Sequence, residues 1–223
     1  MKHFKYLLSI TLIIMISQAC KKQDHYYKDF IKDGEIIYVG KADAVSVHPG
    51  KNRIKLSWNM SDANISKVKI YWNNRTDSLL LNVLENTGNM STVIENLEER
   101  NYQFEIYTLD AGGNTSIKVN AEGEVYGDNY SATLLNRILN NATYLNNTAT
   151  INWFNANAKT VHTEIVYDDK DGVSHTIVLL PADSQTILSL VNPNLIFKYR
   201  TLYLPDPLAI DTFYTEYITV PVK

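Results

Sequence analysis

Cysteine is almost missing from this chain. A single residue, Cys20, serves 223 positions, so no disulfide can form within one chain and no Cys-based metal site can be assembled. Glycine (9) and proline (6) are also sparse, which excludes collagen-like and low-complexity architectures. No basic excess exists: the formal charge is −3, and nucleic acid is not an expected partner. No apolar run is long enough to cross a bilayer comfortably. Local catalytic signatures are absent too. There is no G-x-S-x-G, no H-E-x-x-H and no glycine-rich phosphate loop, since Gly112-Gly113 sits between two strand-like segments rather than before a helix. A dispersed triad or carboxylate pair would leave no such local trace.

What the chain has is tyrosine, 15 of them, and short alternating segments. In Arg53-Ile-Lys-Leu-Ser-Trp58 the apolar residues fall at every second position, the period of a half-buried strand ending in a large aromatic. Thr148-Ala-Thr-Ile-Asn-Trp153 repeats the pattern. Around Trp58 follow Ala44–Val47, Lys67–Trp72, Ser78–Val83, Ser91–Leu97, Tyr102–Thr108 and Ser116–Val125, separated by turns such as His48-Pro49-Gly50-Lys51 and Asn73-Asn74-Arg75-Thr76. Seven short strands at such spacing specify a β-sandwich. Around Trp153 lie Val161–Tyr167, Gly172–Leu179, Gln185–Leu190, Leu195–Tyr203 and Thr212–Val220, with Ser131–Leu139 reading as a short helix or an irregular opening strand. An offset of 95 carries Trp58 onto Trp153, Tyr102 onto Phe197 and Phe104 onto Tyr199, with a one-residue slip in the third strand. The expected fold is all-β: two tandem immunoglobulin- or fibronectin III-like sandwiches, over 42–126 and 127–223.

The N-terminus reads as an address. Lys2 and Lys5 precede an uncharged apolar run from Tyr6 to Ile16, and Ser17-Gln18-Ala19-Cys20 follows. This resembles a bacterial lipoprotein signal, in which residues 1–19 are removed and Cys20 becomes the lipidated terminus. Residues 20–41 are then a polar tether. The expected location is the cell envelope, anchored by lipid, at the outer membrane.

Leu97-Glu-Glu-Arg-Asn-Tyr102 resembles the tyrosine corner of Greek-key sandwiches, whose Tyr hydroxyl bonds back to the preceding turn. Glu98-Glu99-Arg100 stands where fibronectin type III modules usually carry Pro-Gly. More widely, Gly50–Trp58, Ile70–Asn74, Phe104–Thr108, Val125–Gly127, Tyr199–Thr201 and Ile210–Tyr214 resemble an uncharacterised family of Bacteroidetes lipoproteins with fibronectin type III-like modules. That resemblance implies a place in or near glycan-uptake machinery and implies no activity. The function expected is a non-enzymatic, glycan-binding accessory of an outer-membrane uptake system, with a structural spacer or adhesin as the alternative. Its partners would be the membrane, through the lipid, and a glycan or an outer-membrane transporter.

Candidate residues are few. Tyr71 and Tyr107 should point outward from neighbouring strands of one sheet and form an aromatic pair beside Lys69 and Glu105, suited to a sugar ring or a protein contact. No cofactor and no metal are expected. Asp168-Asp169-Lys170-Asp171-Gly172 has Tyr167 and Val178 where a calcium loop needs acidic ligands, so it reads as a hairpin turn. His162 and His175 read as strand histidines on one hairpin. We predict that Cys20→Ala yields an unprocessed or soluble protein; fatty-acid labelling persisting on that variant would refute the anchor.

Overall fold

The computed structural model describes residues 39–84 and 88–222. Cys20, the signal and most of the tether lie outside them. The first module contains β1 (Asp43–Pro49), β2 (Arg53–Met60), β3 (Ile65–Trp72), β4 (Asp77–Asn82), β5 (Gly88–Glu95), β6 (Arg100–Asp110) and β7 (Val119–Val125). All pair antiparallel, in a three-stranded sheet of order β1-β2-β5 and a four-stranded sheet of order β4-β3-β6-β7. Strand β2 alternates without a break: Ile54, Leu56, Trp58 and Met60 are buried, while Arg53, Lys55, Ser57 and Asn59 face out. Against them the other sheet supplies Val68, Ile70, Tyr102, Phe104 and Ile106.

A short helix, α1 (Asp128–Thr133), leads into the second module. Its strands are β8 (Leu139–Leu145), β9 (Thr148–Trp153), β10 (Thr160–Asp168), β11 (Ser174–Leu179), β12 (Gln185–Ser189), β13 (Ile196–Tyr203), β14 (Phe213–Tyr214) and β15 (Ile218–Pro221). The sheets repeat the first module: β12-β9-β8 faces β11-β10-β13, and the last strand is split into β14 and β15, both paired to β13. A second, separate core collects Ile151, Trp153, Ile165, Leu188, Phe197 and Tyr199. The architecture is thus two tandem β-sandwiches of like topology.

Strand pairing refines the internal repeat. Val68, Ile70 and Trp72 correspond to Thr163, Ile165 and Tyr167 at an offset of 95 with no slip, and both strands carry their register shift at the same place, Ile65/Lys67 and Thr160/His162. Across the sheet, however, Ile70 pairs with Ile106 and Ile165 with Tyr199, so the β6–β13 offset is 93. Phe104 therefore matches Phe197, and Ile106 matches Tyr199. The aromatic coincidence at 95 misled the alignment by one inward step. The matched pair Thr108 and Thr201 confirms the register. Each is fully buried, and the backbone N–H of each donates to a side-chain hydroxyl of the segment that follows its strand: Thr108 N–H to Ser116 Oγ at 3.0 Å, and Thr201 N–H to Thr215 Oγ1 at 2.8 Å.

Strand β8 was not expected. Leu139-Asn-Asn-Ala-Thr-Tyr-Leu145 is an edge strand with a register shift between Leu139 and Asn141, so its inward residues are not at strict alternation. Asn146 and Asn147, both at positive φ (50° and 59°), close it onto β9 in a two-residue turn of the kind Asn favours. The Ser131–Leu139 segment divides accordingly: helix to Thr133, then irregular chain up to β8.

The two tryptophans differ in one bond. Trp153 Nε1 donates to the buried Thr186 Oγ1 at 3.0 Å, whereas buried Trp58 Nε1 has no partner among the described residues. Truncating either to Ala removes ~3–5 kcal/mol of packing. Replacement by Phe should separate them. Trp153→Phe orphans the Thr186 hydroxyl, so it should cost ~1–2 kcal/mol more than Trp58→Phe, which removes an unsatisfied donor. Chemical denaturation of the two variants measures the difference.

Candidate functional site: an inter-module joint and a tyrosine–arginine sheet face

Two constellations stand out. The first lies between the sandwiches. The turn His48–Lys51 is a docking platform for the 204–212 loop of the second module. Ile210 N–H donates to Pro49 O at 2.7 Å, and His48 Nδ1 lies 3.2 Å from Leu208 O. Asp211 then reaches across to β2. Arg53 grips its carboxylate with two bonds, Nε to Oδ2 at 2.8 Å and Nη2 to Oδ1 at 2.6 Å, and Lys51 N–H adds a third at 2.8 Å. Gly50 permits this approach: a Cβ there would stand 2.6 Å from Asp211 Oδ2 and 2.9 Å from Ile210 Cγ1. Beside the ion pair Tyr126, Tyr130 and Phe213 form one aromatic cluster, with centroids 4.7, 5.0 and 6.1 Å apart.

The turn before β6 is recruited as well. Glu99 accepts from Asn129 N–H at 2.7 Å and Tyr130 N–H at 2.6 Å, capping helix α1, which has no side-chain cap of its own. A Cβ at Gly127 would meet Glu99 Oε2 at 2.9 Å. This is a physical reason for Glu98-Glu99-Arg100 in place of a Pro-Gly turn, because the carboxylate is needed at the joint. Tyr102 meets the same turn through Arg100, whose guanidinium lies 4.6 Å from the ring centre.

Electrostatics favour the closed joint. Hydrogen bonding from Arg53 holds the Asp211 carboxyl below the usual carboxylate range, against the opposing effect of burial. The same contact raises Arg53. Burial, helped by Glu124, pushes the Tyr126 phenol to about 12, so it stays neutral.

The second constellation is the outer face of the sheet β4-β3-β6-β7. Tyr71 and Tyr107 do come together there, edge to face with centroids 6.0 Å apart. Lys69 Nζ lies 4.9 Å from the Tyr71 ring centre, as the strand period requires. The residue that organises the face is Arg75, from the β3–β4 turn. It donates to Glu105 at 2.6 Å and to the Tyr107 hydroxyl at 2.7 Å, and lies 5.7 Å from both rings. Asn73, Asn74 and Arg75 are three consecutive residues at positive φ (51°, 55°, 66°), a costly geometry that folds Arg75 back over the sheet. In sequence that turn is only an Asn pair, and nothing marks Arg75 as the hub.

An open depression of about 780 Å³ adjoins this face and holds two carboxylates, Glu105 and Glu122. Bonds from Lys118 and then Arg75 hold Glu105 below its ordinary pKa, so it is an ion-pair centre rather than a proton donor. Elsewhere, Asp169 is engaged within its own hairpin, accepting from Asp171 and Val173 N–H and pairing with His175 at 2.9 Å. His175 pairs across the hairpin with Tyr167, whereas the residue after His162 pairs with Leu179, so the two histidines sit at opposite ends.

With this geometry in view, the family model DUF4998, a domain of unknown function, matches residues 20–213. The chain belongs to the DUF4998 family. The match covers the first sandwich and the second as far as the start of β14, and it includes Arg53, Glu99, Asp211 and Phe213, so it contains the joint. Three stretches distant in sequence, Gly50–Trp58, Val125–Gly127 and Ile210–Tyr214, meet there. Among solved structures, a two-domain fibronectin type III segment of chicken tenascin covers 82% of this DUF4998 chain and 99% of its own length, at 11% identity and a TM-score of 0.33. The FN1–FN3 domains of chicken CNTN1 give 83% and 66%, 11% and 0.43. The central fibronectin-III array of RIM-binding protein gives 82% and 61%, 13% and 0.33. No curated protein matches.

The joint generates a pH test. Asp211 has a depressed folded pKa, so its contribution is complete above the unfolded value of ~3.9 and is lost as pH falls through the folded value. Solvent still reaches Arg53, so the pair is worth ~1 kcal/mol, the upper end for exposed pairs. Asp211→Asn should therefore lower stability by about that amount near neutrality. The gap to wild type should begin to narrow as pH falls below about 4 and should close only below the lowered folded value. Thermal unfolding across pH measures it.

Proposed function

We propose that this protein is a non-enzymatic spacer of the cell envelope, lipid-anchored at Cys20, that presents protein contacts from a rigid pair of sandwiches. The observation that carries this reading is the joint. Modules strung together only to bind ligands separately need no mutual lock. Here a bidentate ion pair, a tertiary helix cap and an aromatic cluster all cross the boundary. Interaction surfaces are enriched in Tyr and Arg, and the face around Arg75 offers both. The envelope location draws on the lipoprotein-like signal and on the resemblance to Bacteroidetes lipoproteins.

Limited proteolysis tests the spacer reading. The wild-type chain should resist cleavage between Gly127 and Arg137, and Arg53→Ala with Asp211→Ala should become susceptible there. Equal cleavage of both proteins would remove the reading.

The Tyr71–Tyr107 pair supports a second reading, a glycan-binding accessory of an outer-membrane uptake system. For a sugar to stack there, Lys69 or Arg75 must yield a ring face. In this case Tyr71→Ala with Tyr107→Ala should abolish binding on a glycan array while circular dichroism stays unchanged. A wild-type protein that binds nothing on the array would leave the spacer reading alone.

A further inference from the structure

The second module carries a face of the same chemistry, at the corresponding place, built from different residues. On the outer side of its β11-β10-β13 sheet, the Arg200 guanidinium lies between two tyrosines, 4.2 Å from the Tyr214 ring centre and 4.6 Å from that of Tyr217. Arg200 donates to Glu164 at 3.1 and 3.4 Å, and the Tyr217 hydroxyl donates to the same carboxylate. Lys198 Nζ lies 4.9 Å from Tyr217. The strand pair Glu164↔Arg200 corresponds to Lys69↔Tyr107, and Val166↔Lys198 to Tyr71↔Glu105. Position by position the residues are exchanged. The set is nevertheless retained: two tyrosines, one arginine, one glutamate and additional lysine.

Both faces hold more cation than anion. Arg75 and Lys118 bond Glu105, Lys69 stands at Tyr71 on the same face, and Glu122 lies in the adjoining depression; Arg200 bonds Glu164, and Lys198 stands at Tyr217. This excess sits on a chain whose formal charge is −3. We propose that the Arg75 and Arg200 faces are two docking sites for one kind of partner, an acidic segment of another protein. The proposal rests on the protein-contact part of the spacer reading. A carboxylate-bearing segment gains from the uncompensated lysines and can exchange with the resident glutamate at each arginine, while the tyrosines supply apolar contact. Neutral sugars fit less well, because cations already stand near the ring of Tyr71 and on that of Tyr217.

The test uses the full-length protein in detergent, titrated with fluorescein-labelled oligoglutamate by anisotropy at low and at raised salt. The expected result is saturable, salt-sensitive binding. Arg75→Gln with Lys118→Gln should weaken it about tenfold, and adding Lys198→Gln with Arg200→Gln should remove the remainder. Lys69→Gln with Lys198→Gln, whose amines make no bond to Glu105 or Glu164, should give a smaller loss in the same direction without touching the fold. Lys55→Gln, on the outer side of the opposite sheet, should change nothing. Absence of oligoglutamate binding, or an equal loss from the Lys55→Gln control, would overturn the proposal. Binding of polygalacturonate without oligoglutamate would overturn it in favour of an acidic glycan. A proteolysis-resistant joint in a protein that binds no oligoglutamate would leave the spacer intact and remove only the docking sites.

Discussion

Asp211 belongs to the second sandwich by sequence and to the first by its bonds. Its carboxylate takes two hydrogen bonds from Arg53 and one from the Lys51 backbone, and the loop that carries it is held to Pro49. Much of the neighbourhood follows from that reach. Residue 50 must lack a Cβ, and the aromatic residue two positions beyond Asp211 comes to lie against Tyr126 and Tyr130. Helix α1, only six residues long, is far too short to persist alone. It holds because Glu99 caps it from the first module and because its Tyr130 enters the aromatic cluster. The ion pair contributes little energy by itself. Its role is geometric: it fixes where the loop lands, and apolar contact then adds to it.

The strands themselves were largely legible. Where one face is buried and the other solvated, alternation survives in the sequence, and β2, β3, β6, β9 and β10 could be placed from it. The outward position of Tyr71 and Tyr107 followed from the same period. Legibility ended where long-range partners decide the outcome. Strand β8 pairs along one side only and interrupts its own alternation, so Asn141 hides it. Arg75 reads as part of a turn, and only its positive φ aims it at Glu105. The joint is invisible because its residues lie about 160 positions apart and each has an ordinary local meaning: a turn at Gly50, a strand start at Arg53, a loop at Asp211. The one local hint was negative, the missing Pro-Gly before Tyr102, and its cause is Glu99.

The internal repeat shows a related limit. Aromatics at a constant offset looked like a single alignment, yet hydrogen-bond register places β13 two residues away from it. Inward positions of a strand are chemically alike, so a two-residue shift preserves the pattern while changing every partner. The buried threonines Thr108 and Thr201 carry the true register, because their hydrogen bonds are specific where apolar contact is not.

The central claim is that both sandwiches move as one body. Backbone ¹⁵N relaxation measures this most directly, by giving a rotational correlation time for each module in the intact chain. The account requires one shared tumbling tensor for residues 42–126 and 139–222, separating into two faster ones in Arg53→Ala with Asp211→Ala. Two independent correlation times in the wild-type protein would contradict it.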